Sequence, residues 1–111
     1  MSNIDLIARF TIKEGMAQEF KAWSGRCRDS VQEKDTGTLR YDWYLNEEQT
    51  ECVVLETYSS SAAVMEHAAN LGALMGEGLN YAALKGEVFG EASDELKDAL
   101  SPFGIKYYSE I

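Results

Sequence analysis

Residues 51–71 read ECVVLETYSSSAAVMEHAANL, and this stretch decides the fold. Its first half alternates like a strand, but apolar residues occur on both faces: Cys52 and Val54 on one, Val53 and Leu55 on the other. A strand that is apolar on both sides belongs in the middle of a sheet. Serines at 59–61 then offer N-cap chemistry for a helix. The apolar side of that helix carries Val64, His67, Ala68 and Leu71.

The sequence before this stretch predicts two strands and a helix. Residues 4–12 alternate, with Ile4 and Phe10 on the apolar side, and so predict a first strand. A stripe at steps of three and four predicts a helix over about 16–33, ended by the turn 35–37. Residues 39–45 alternate again and join 51–58 through a polar turn, which is typical of a hairpin. The helical stripe consists of Met16, Phe20, Trp23, Cys27 and Val31.

The sequence after residue 71 is interrupted by glycines, so 71–84 is predicted to be a broken helix or loop. A short fourth strand is predicted over 86–92, a short helix from Ser93, and a last strand over 105–108. The order is βαββαβ followed by a short helix and strand. It predicts an α+β, ferredoxin-like fold with an antiparallel four-stranded sheet and both main helices on one face.

Length and composition indicate a single domain spanning residues 1–111, with 45% hydrophobic residues. Nineteen acidic and ten basic residues give a formal net charge of -9, which disfavours nucleic acid and anionic membranes as partners. The N-terminal residues do not have the pattern of a signal peptide, and the sequence has no apolar run of spanning length. The cysteines, Cys27 and Cys52, fit buried thiols in a reducing compartment. We therefore expect a cytoplasmic protein.

The face of the sheet away from the helices is also expected to be apolar. Ile7, Val53 and Leu55 fall on that side of the first and third strands. A second copy of the chain is the simplest cover, because a two-fold contact needs one self-complementary patch. The sequence therefore predicts a homodimer.

His67 is the only histidine, which excludes metal sites that need several imidazoles. No metal and no cofactor are predicted, since nucleotide-binding motifs are also absent from the sequence. On the apolar face of its helix, His67 points at the sheet and is a candidate general base. The alternative is a core histidine that is hydrogen-bonded to a neighbour such as Glu56 or Tyr58.

The other candidate site residues are mainly aromatic. Glu56 and Tyr58 share a strand face. A carboxylate in that layer needs a partner, for which His67 or an arginine is the structural alternative to a functional role. An apolar space bordered by phenols and indoles suits a flat aromatic ligand. Tyr41 and Tyr58 are candidate hydrogen-bond donors to that ligand, while Trp43, Glu56, Phe10 and Trp23 are candidate binding residues, with core packing as the alternative for the aromatic ones.

Three segments resemble the antibiotic biosynthesis monooxygenase family of dimeric α+β barrels: ARFTIKEGMAQEFKAW, DTGTLRYDWYL and VVLETYSSSAAVMEHAAN. The resemblance covers roughly residues 4–92. It implies a cofactor-independent monooxygenase that acts on a quinol or polycyclic phenol with molecular oxygen. Haem-degrading members have an asparagine and a tryptophan where this chain has Ala8 and Tyr58, and a later histidine, so haem degradation is disfavoured.

Two alternatives to an enzyme stay open on the sequence. The first is a non-catalytic protein that binds or protects a small apolar molecule in the same pocket. The second is a purely structural assembly module, which predicts that side chains fill the space between helices and sheet. The presence of a cavity in the structure separates the second alternative from the other readings.

Overall fold

The alternating and helical patterns of the sequence become the strands and helices of an α+β fold. The computed structural model describes residues 3–111. Strand β1 and helix α1 are followed by the hairpin β2–β3, helix α2, strand β4 and a C-terminal helix and strand, which confirms the ferredoxin-like order. The bounds are β1 Ile4–Ile12, α1 Ala17–Lys34, β2 Thr38–Leu45, β3 Glu51–Tyr58, α2 Ser61–Leu71, α3 Ala73–Glu77, β4 Ala82–Phe89, α4 Asp94–Ala99 and β5 Lys106–Tyr108.

The strand order is β2-β3-β1-β4-β5, so β3 lies inside the sheet as its two apolar faces predict. Strands β1 to β4 pair antiparallel, with Ala8 opposite Val54 on one side and opposite Gly86 on the other. On β2, Tyr41 lies opposite Glu56 and Trp43 opposite Val54. Because directly paired residues share a face, this register gathers the candidate side chains under the helices.

Two predictions about the C-terminal part were wrong. The fourth strand begins at Ala82 and ends at Phe89 instead of spanning 86–92, because its first residues are alanines that carry little strand propensity. The last strand joins the sheet and pairs parallel with β4, so the sheet is mixed and five-stranded rather than antiparallel and four-stranded. The segment before β4 is broken as expected, into α3 and a 3-10 turn at Gly78–Asn80.

Aromatic packing joins helix α1 to the sheet. Phe20 and Trp23 are buried on the inner side of α1, and their ring centroids lie 5.4 Å and 5.6 Å from that of Phe10 on β1. Trp43 on β2 lies 5.6 Å from Trp23. Separations of this size are favourable for edge-on and offset ring pairs. The cluster holds α1 across the sheet and leaves the space beside it to the candidate site.

Helix α2 begins where the serine cluster predicts. The Ser60 hydroxyl accepts a hydrogen bond from the Ala63 amide and so caps the helix. The helix ends at Gly72, whose φ of 53° is a left-handed conformation that glycine adopts at little cost. Its buried side carries Val64, His67 and Leu71 toward the sheet. From residue 3 onward, no helix combines the length and hydropathy required to cross a bilayer.

The outer face of the sheet has no helix packed on it among the described residues, and it is partly apolar. Ile7, Val53 and Leu55 are each half-buried there, and Tyr44 beside them is 53% exposed. The charged side chains on this face are four acidic and four basic, a net charge of zero in a chain of net charge -9. They are Asp5, Asp42, Glu51, Glu87, Arg9, Arg40, Lys85 and Lys106.

Candidate functional site

A cavity of about 90 Å³ lies between the helices and the inner face of the sheet. Its walls are mostly apolar, with Leu6, Ala8 and Val54 from the sheet and Val64 and Leu71 from α2. The polar or titratable side chains of the lining are Cys27, Tyr41, Trp43, Glu56 and His67. A cavity at this place disagrees with a purely structural module, which predicted a filled core.

His67 is buried in the wall of this cavity and is held by a carboxylate that the sequence analysis did not single out. Its Nδ1 lies 2.8 Å from Oδ2 of Asp35, the residue that caps the C-terminus of α1. The prediction that a core His67 would bond Glu56 or Tyr58 was therefore wrong about the partner. An ionised carboxylate only accepts hydrogen bonds, so Nδ1 donates and Nε2 carries the lone pair.

Asp35 is itself fixed by two further donors. The Thr38 hydroxyl donates to Oδ2 over 2.6 Å, and the Asn70 amide donates to Oδ1 over 2.9 Å. Only 1% of the Asp35 side chain is exposed. Burial alone would raise the pKa of Asp35, but the hydrogen bonds from Asn70, Thr38 and His67 outweigh it and hold the pKa below the usual value. Asp35 is therefore ionised at neutral pH.

Burial has the opposite consequence for the imidazole. It lowers the pKa of His67 below 6.5, although the hydrogen bond and charge of Asp35 act against that shift. His67 is thus neutral at neutral pH. Its Nδ1 is engaged by Asp35, and Nε2 has no hydrogen-bond partner among residues 3–111. The pair has the arrangement of a general base with an orienting carboxylate.

Glu56 lies on the inner face of β3, as predicted, and only 8% of the residue is exposed. Its partner is Tyr58, whose hydroxyl donates to Oε1, and not His67 or an arginine. Burial raises the pKa of Glu56 to about 7; the Tyr58 hydrogen bond opposes this shift and the charge of Asp35 adds to it. Glu56 consequently exchanges its proton near neutral pH.

Tyr58 does not line the cavity, although the sequence suggested it as a donor to a ligand. It is 0% exposed and lies behind Glu56, and its ring centroid is 5.3 Å from that of His67. Tyr41, the other predicted donor, does line the cavity, 5.1 Å from His67 between ring centroids. Burial raises the pKa of Tyr41, with the charge of Glu56 adding to the shift, so its hydroxyl stays protonated.

Three predicted binding aromatics, Trp43, Phe10 and Trp23, line the cavity as well as packing in the core. The indole N–H of Trp23 is satisfied, since it donates to the Leu74 carbonyl over 2.8 Å. The indole N–H of Trp43 is buried and has no partner among the described residues. Buried donors are rarely left unpaired, so Trp43 is a candidate to bind an acceptor atom of a ligand.

The end of the cavity is closed by a wall that sequence reasoning missed. Leu100, Phe103 and Ile105 from the C-terminal segment line it. Gly86 in β4 permits this contact, because any Cβ there would overlap the Ile105 side chain. The sequence signal was the isolated glycine in a strand, which often marks a close approach of another group.

Other chemistry at the site is constrained by the lining. Burial raises the pKa of the Cys27 thiol to about 12, so it is not a ready nucleophile. Residues 3–111 contain no group of three or more histidine, cysteine or acidic side chains placed to hold a metal ion. The arrangement is one of proton transfer in a mostly apolar space.

Comparisons with known proteins agree on the family. A family model described as antibiotic biosynthesis monooxygenase matches residues 4–72. Among solved structures, MupZ from Pseudomonas fluorescens is 23% identical with a TM-score of 0.85 and covers 100% of this chain and 92% of its own. SnoaB from Streptomyces nogalater, described as a cofactor-independent oxygenase, is 14% identical with a TM-score of 0.70, covering 84% and 96%.

Rv0793 from Mycobacterium tuberculosis is 21% identical to this chain with a TM-score of 0.71, and covers 84% of this chain and 98% of its own. At these identities, the likeness to the solved structures shows the fold alone. A search of curated protein sequences finds no match.

Proposed function

We propose, since this chain belongs to the antibiotic biosynthesis monooxygenase family, that it is a cofactor-independent monooxygenase of a fused-ring phenol or quinol. The observation that carries the proposal is the Asp35–His67 pair in the wall of an apolar cavity. A neutral imidazole with an orienting carboxylate accepts a proton from a phenol. The mostly apolar walls limit competing reactions with water.

The reaction needs only a base, oxygen and a dry site. Nε2 of His67 takes the phenol proton, and the phenolate transfers one electron to oxygen. The two radicals combine at a ring carbon that carries hydrogen, giving a peroxide. Loss of water from the peroxide then leaves a quinone. One oxygen atom enters the product and the other leaves as water, and the substrate O–H and C–H bonds supply the four electrons that reduce oxygen.

Tyr41 and Trp43 are the proposed donors to the phenolate oxygen. The Tyr41 hydroxyl is protonated at neutral pH and lies beside His67, and the Trp43 N–H has no partner among the described residues. Fixed donors aimed at a developing negative charge stabilise it strongly where water is excluded. Phe10 and Trp23 provide apolar walls for the rings. Tyr58 acts on the site through Glu56.

The size of the cavity bears on the substrate. Its volume, about 90 Å³, is well below the range of about 300–1,000 Å³ that is usual for ligand pockets. One or two fused rings fit this space better than a larger polycycle, which requires the wall of Phe103 and Ile105 to move. A bicyclic phenol is therefore the substrate that we favour.

The proposal is tested by oxygen uptake with α-naphthol, comparing wild type with His67→Gln. We expect the variant to lose roughly 100-fold or more of kcat/KM, because glutamine cannot accept the proton. The matched control is Gln32→Ala, an exposed change on α1. Equal rates for wild type and His67→Gln would remove His67 from the reaction, and an inert wild type would contradict the oxygenase.

A binding protein without turnover is the second candidate, and the enclosed, mostly apolar cavity is the observation that favours it. It predicts that α-naphthol raises the melting temperature and is recovered unchanged after long aerobic incubation. Recovery of the para-quinone instead supports the enzyme. The two candidates are thus separated by product analysis of the same sample.

The active form is further proposed to be a cytoplasmic homodimer joined through the outer sheet face. Ile7, Val53, Leu55 and Tyr44 supply its apolar area, and the equal numbers of acidic and basic side chains avoid like-charge repulsion between two copies. The rest of the surface carries the net negative charge and is less suited to self-association.

A further inference from the structure

We propose that Glu56 is a second catalytic residue, an acid that gives a proton to the oxygen-derived group and later takes one back. This inference rests on the proposed oxygenase function. His67 accounts for removal of the first proton, but conversion of a phenol and oxygen to a quinone and water also requires a peroxide to be protonated and a ring hydrogen to be removed. A second proton-carrying group in the cavity fits these needs.

The position of Glu56 supports the assignment. The residue lines the same cavity as His67, between Tyr41 on β2 and Leu6 on β1, to which it is directly paired. Tyr58 donates to Oε1, and Oε2 has no hydrogen-bond partner among the described residues. None of the lysines and arginines in residues 3–111 forms an ion pair with it. A buried carboxyl without a cation is expected to keep its proton.

The groups around Glu56 all favour its protonated form or leave it unchanged, except one. Tyr41 and the Cys27 thiol on α1 are neutral, His67 on α2 is neutral, and the charge of Asp35 raises the pKa of Glu56. The Tyr58 hydrogen bond alone acts to lower it. With a pKa of about 7, the carboxyl is able both to give and to regain a proton near neutral pH.

The steps balance with both residues restored. His67 takes the phenol proton and becomes an imidazolium. After oxygen has added to the ring carbon, the Glu56 carboxyl protonates the peroxide and becomes a carboxylate. That carboxylate removes the ring C–H proton as the O–O bond breaks, and the departing hydroxide takes the proton of the imidazolium. The products are a quinone and one water.

The experiment compares wild type, Glu56→Gln and the exposed control Glu33→Gln with α-naphthol in air, and follows oxygen, quinone and peroxide. We expect Glu56→Gln to form quinone roughly 100-fold more slowly and to release part of the consumed oxygen as peroxide. Unchanged quinone formation and no peroxide would overturn the role of Glu56. Tyr58→Phe keeps the carboxyl, and we expect it to move the alkaline limb of the rate profile to higher pH.

A measurement that needs no turnover separates this inference from the proposed function. Infrared difference spectra under argon, recorded across pH, are expected to show a carboxylic-acid carbonyl band in wild type and Glu33→Gln that is lost in Glu56→Gln and titrates near pH 7. Absence of the band overturns the Glu56 assignment whatever the activity. A titrating band in a wild type that consumes no oxygen overturns the proposed oxygenase instead.

Discussion

The imidazole of His67 and the carboxylate of Asp35 lie 2.8 Å apart, although 32 positions separate them in the sequence. The contact forms because α1 ends beside the middle of α2, where Asp35 caps one helix and His67 faces inward from the other. Thr38 and Asn70 hold the same carboxylate. The pair therefore depends on how the two helices pack, and it fixes which ring nitrogen faces the ligand.

Asp35→Asn is expected to change the chemistry of His67 more than the fold. Asparagine keeps the size of the side chain but removes the charge that raises the pKa of His67, so that pKa falls further. NMR titration of the single histidine measures this shift. We expect kcat for α-naphthol to fall about tenfold or more with little change in KM. An unchanged histidine titration would contradict the orienting role.

The stability of the protein is expected to fall as pH rises through the titration of Glu56. Its folded-state pKa of about 7 lies above the ordinary 4.5, so between these values the folded state keeps a proton that the unfolded state has released. The loss is on the order of 2–3 kcal/mol between pH 4 and pH 8. Urea unfolding of wild type and Glu56→Gln measures it, and parallel pH profiles would contradict the shift.

His67 acts on stability with the opposite sign. Its folded-state pKa is lowered from 6.5, so the unfolded state binds more protons below that value and His67 makes stability fall as pH decreases. The two groups therefore oppose each other in weak acid. Comparing Glu56→Gln with the double variant Glu56→Gln, His67→Gln isolates the histidine contribution.

Trp43→Phe is expected to weaken ligand binding without a matching loss of stability. The indole N–H of Trp43 is buried without a partner, so removing it relieves an unsatisfied donor. We expect the free energy of unfolding to change by less than about 1 kcal/mol, and α-naphthol to bind up to roughly tenfold more weakly under argon. Trp23→Phe, which breaks the bond to Leu74, serves as the contrast and should destabilise the fold. Calorimetry and urea unfolding measure the two quantities.

Gly78→Ala is expected to disturb the cavity wall, because a Cβ at this position would overlap the ring of Trp23. Such overpacking costs about 1–3 kcal/mol of unfolding free energy and moves the tryptophan, which fluorescence detects. Gly76→Ala is the matched control, since a Cβ there meets nothing within 4 Å. We expect that change to be neutral or stabilising by up to about 1 kcal/mol. Equal effects of the two changes would contradict the contact.

Leu55→Glu is expected to separate the proposed dimer. It places a negative charge in the apolar centre of the outer face of each copy, where burial of unpaired charges is costly. Sedimentation should report twice the chain mass for wild type and the single mass for the variant. Ala22→Glu adds the same charge on the exposed side of α1 and should leave the mass unchanged. A monomeric wild type would contradict the dimer.

The sequence alone determined the elements and their faces. Period-two alternation located β1 to β3, the serine cluster located the start of α2, and the two apolar sides of β3 placed it inside the sheet. These features are local, because strand and helix geometry fix which side each residue faces. That is also why Tyr41, Trp43, Glu56 and His67 were predicted to share one layer.

Only the tertiary structure decided the partners within that layer. Asp35 looked like part of a turn in the sequence but holds His67, and Tyr58 looked like a ligand donor but lies behind Glu56. The wall formed by Phe103 and Ile105 depends on the parallel pairing of β5 with β4. Hydrogen-bond partners are set within a few tenths of an ångström by the packing of distant segments, and periodicity carries no information about those distances.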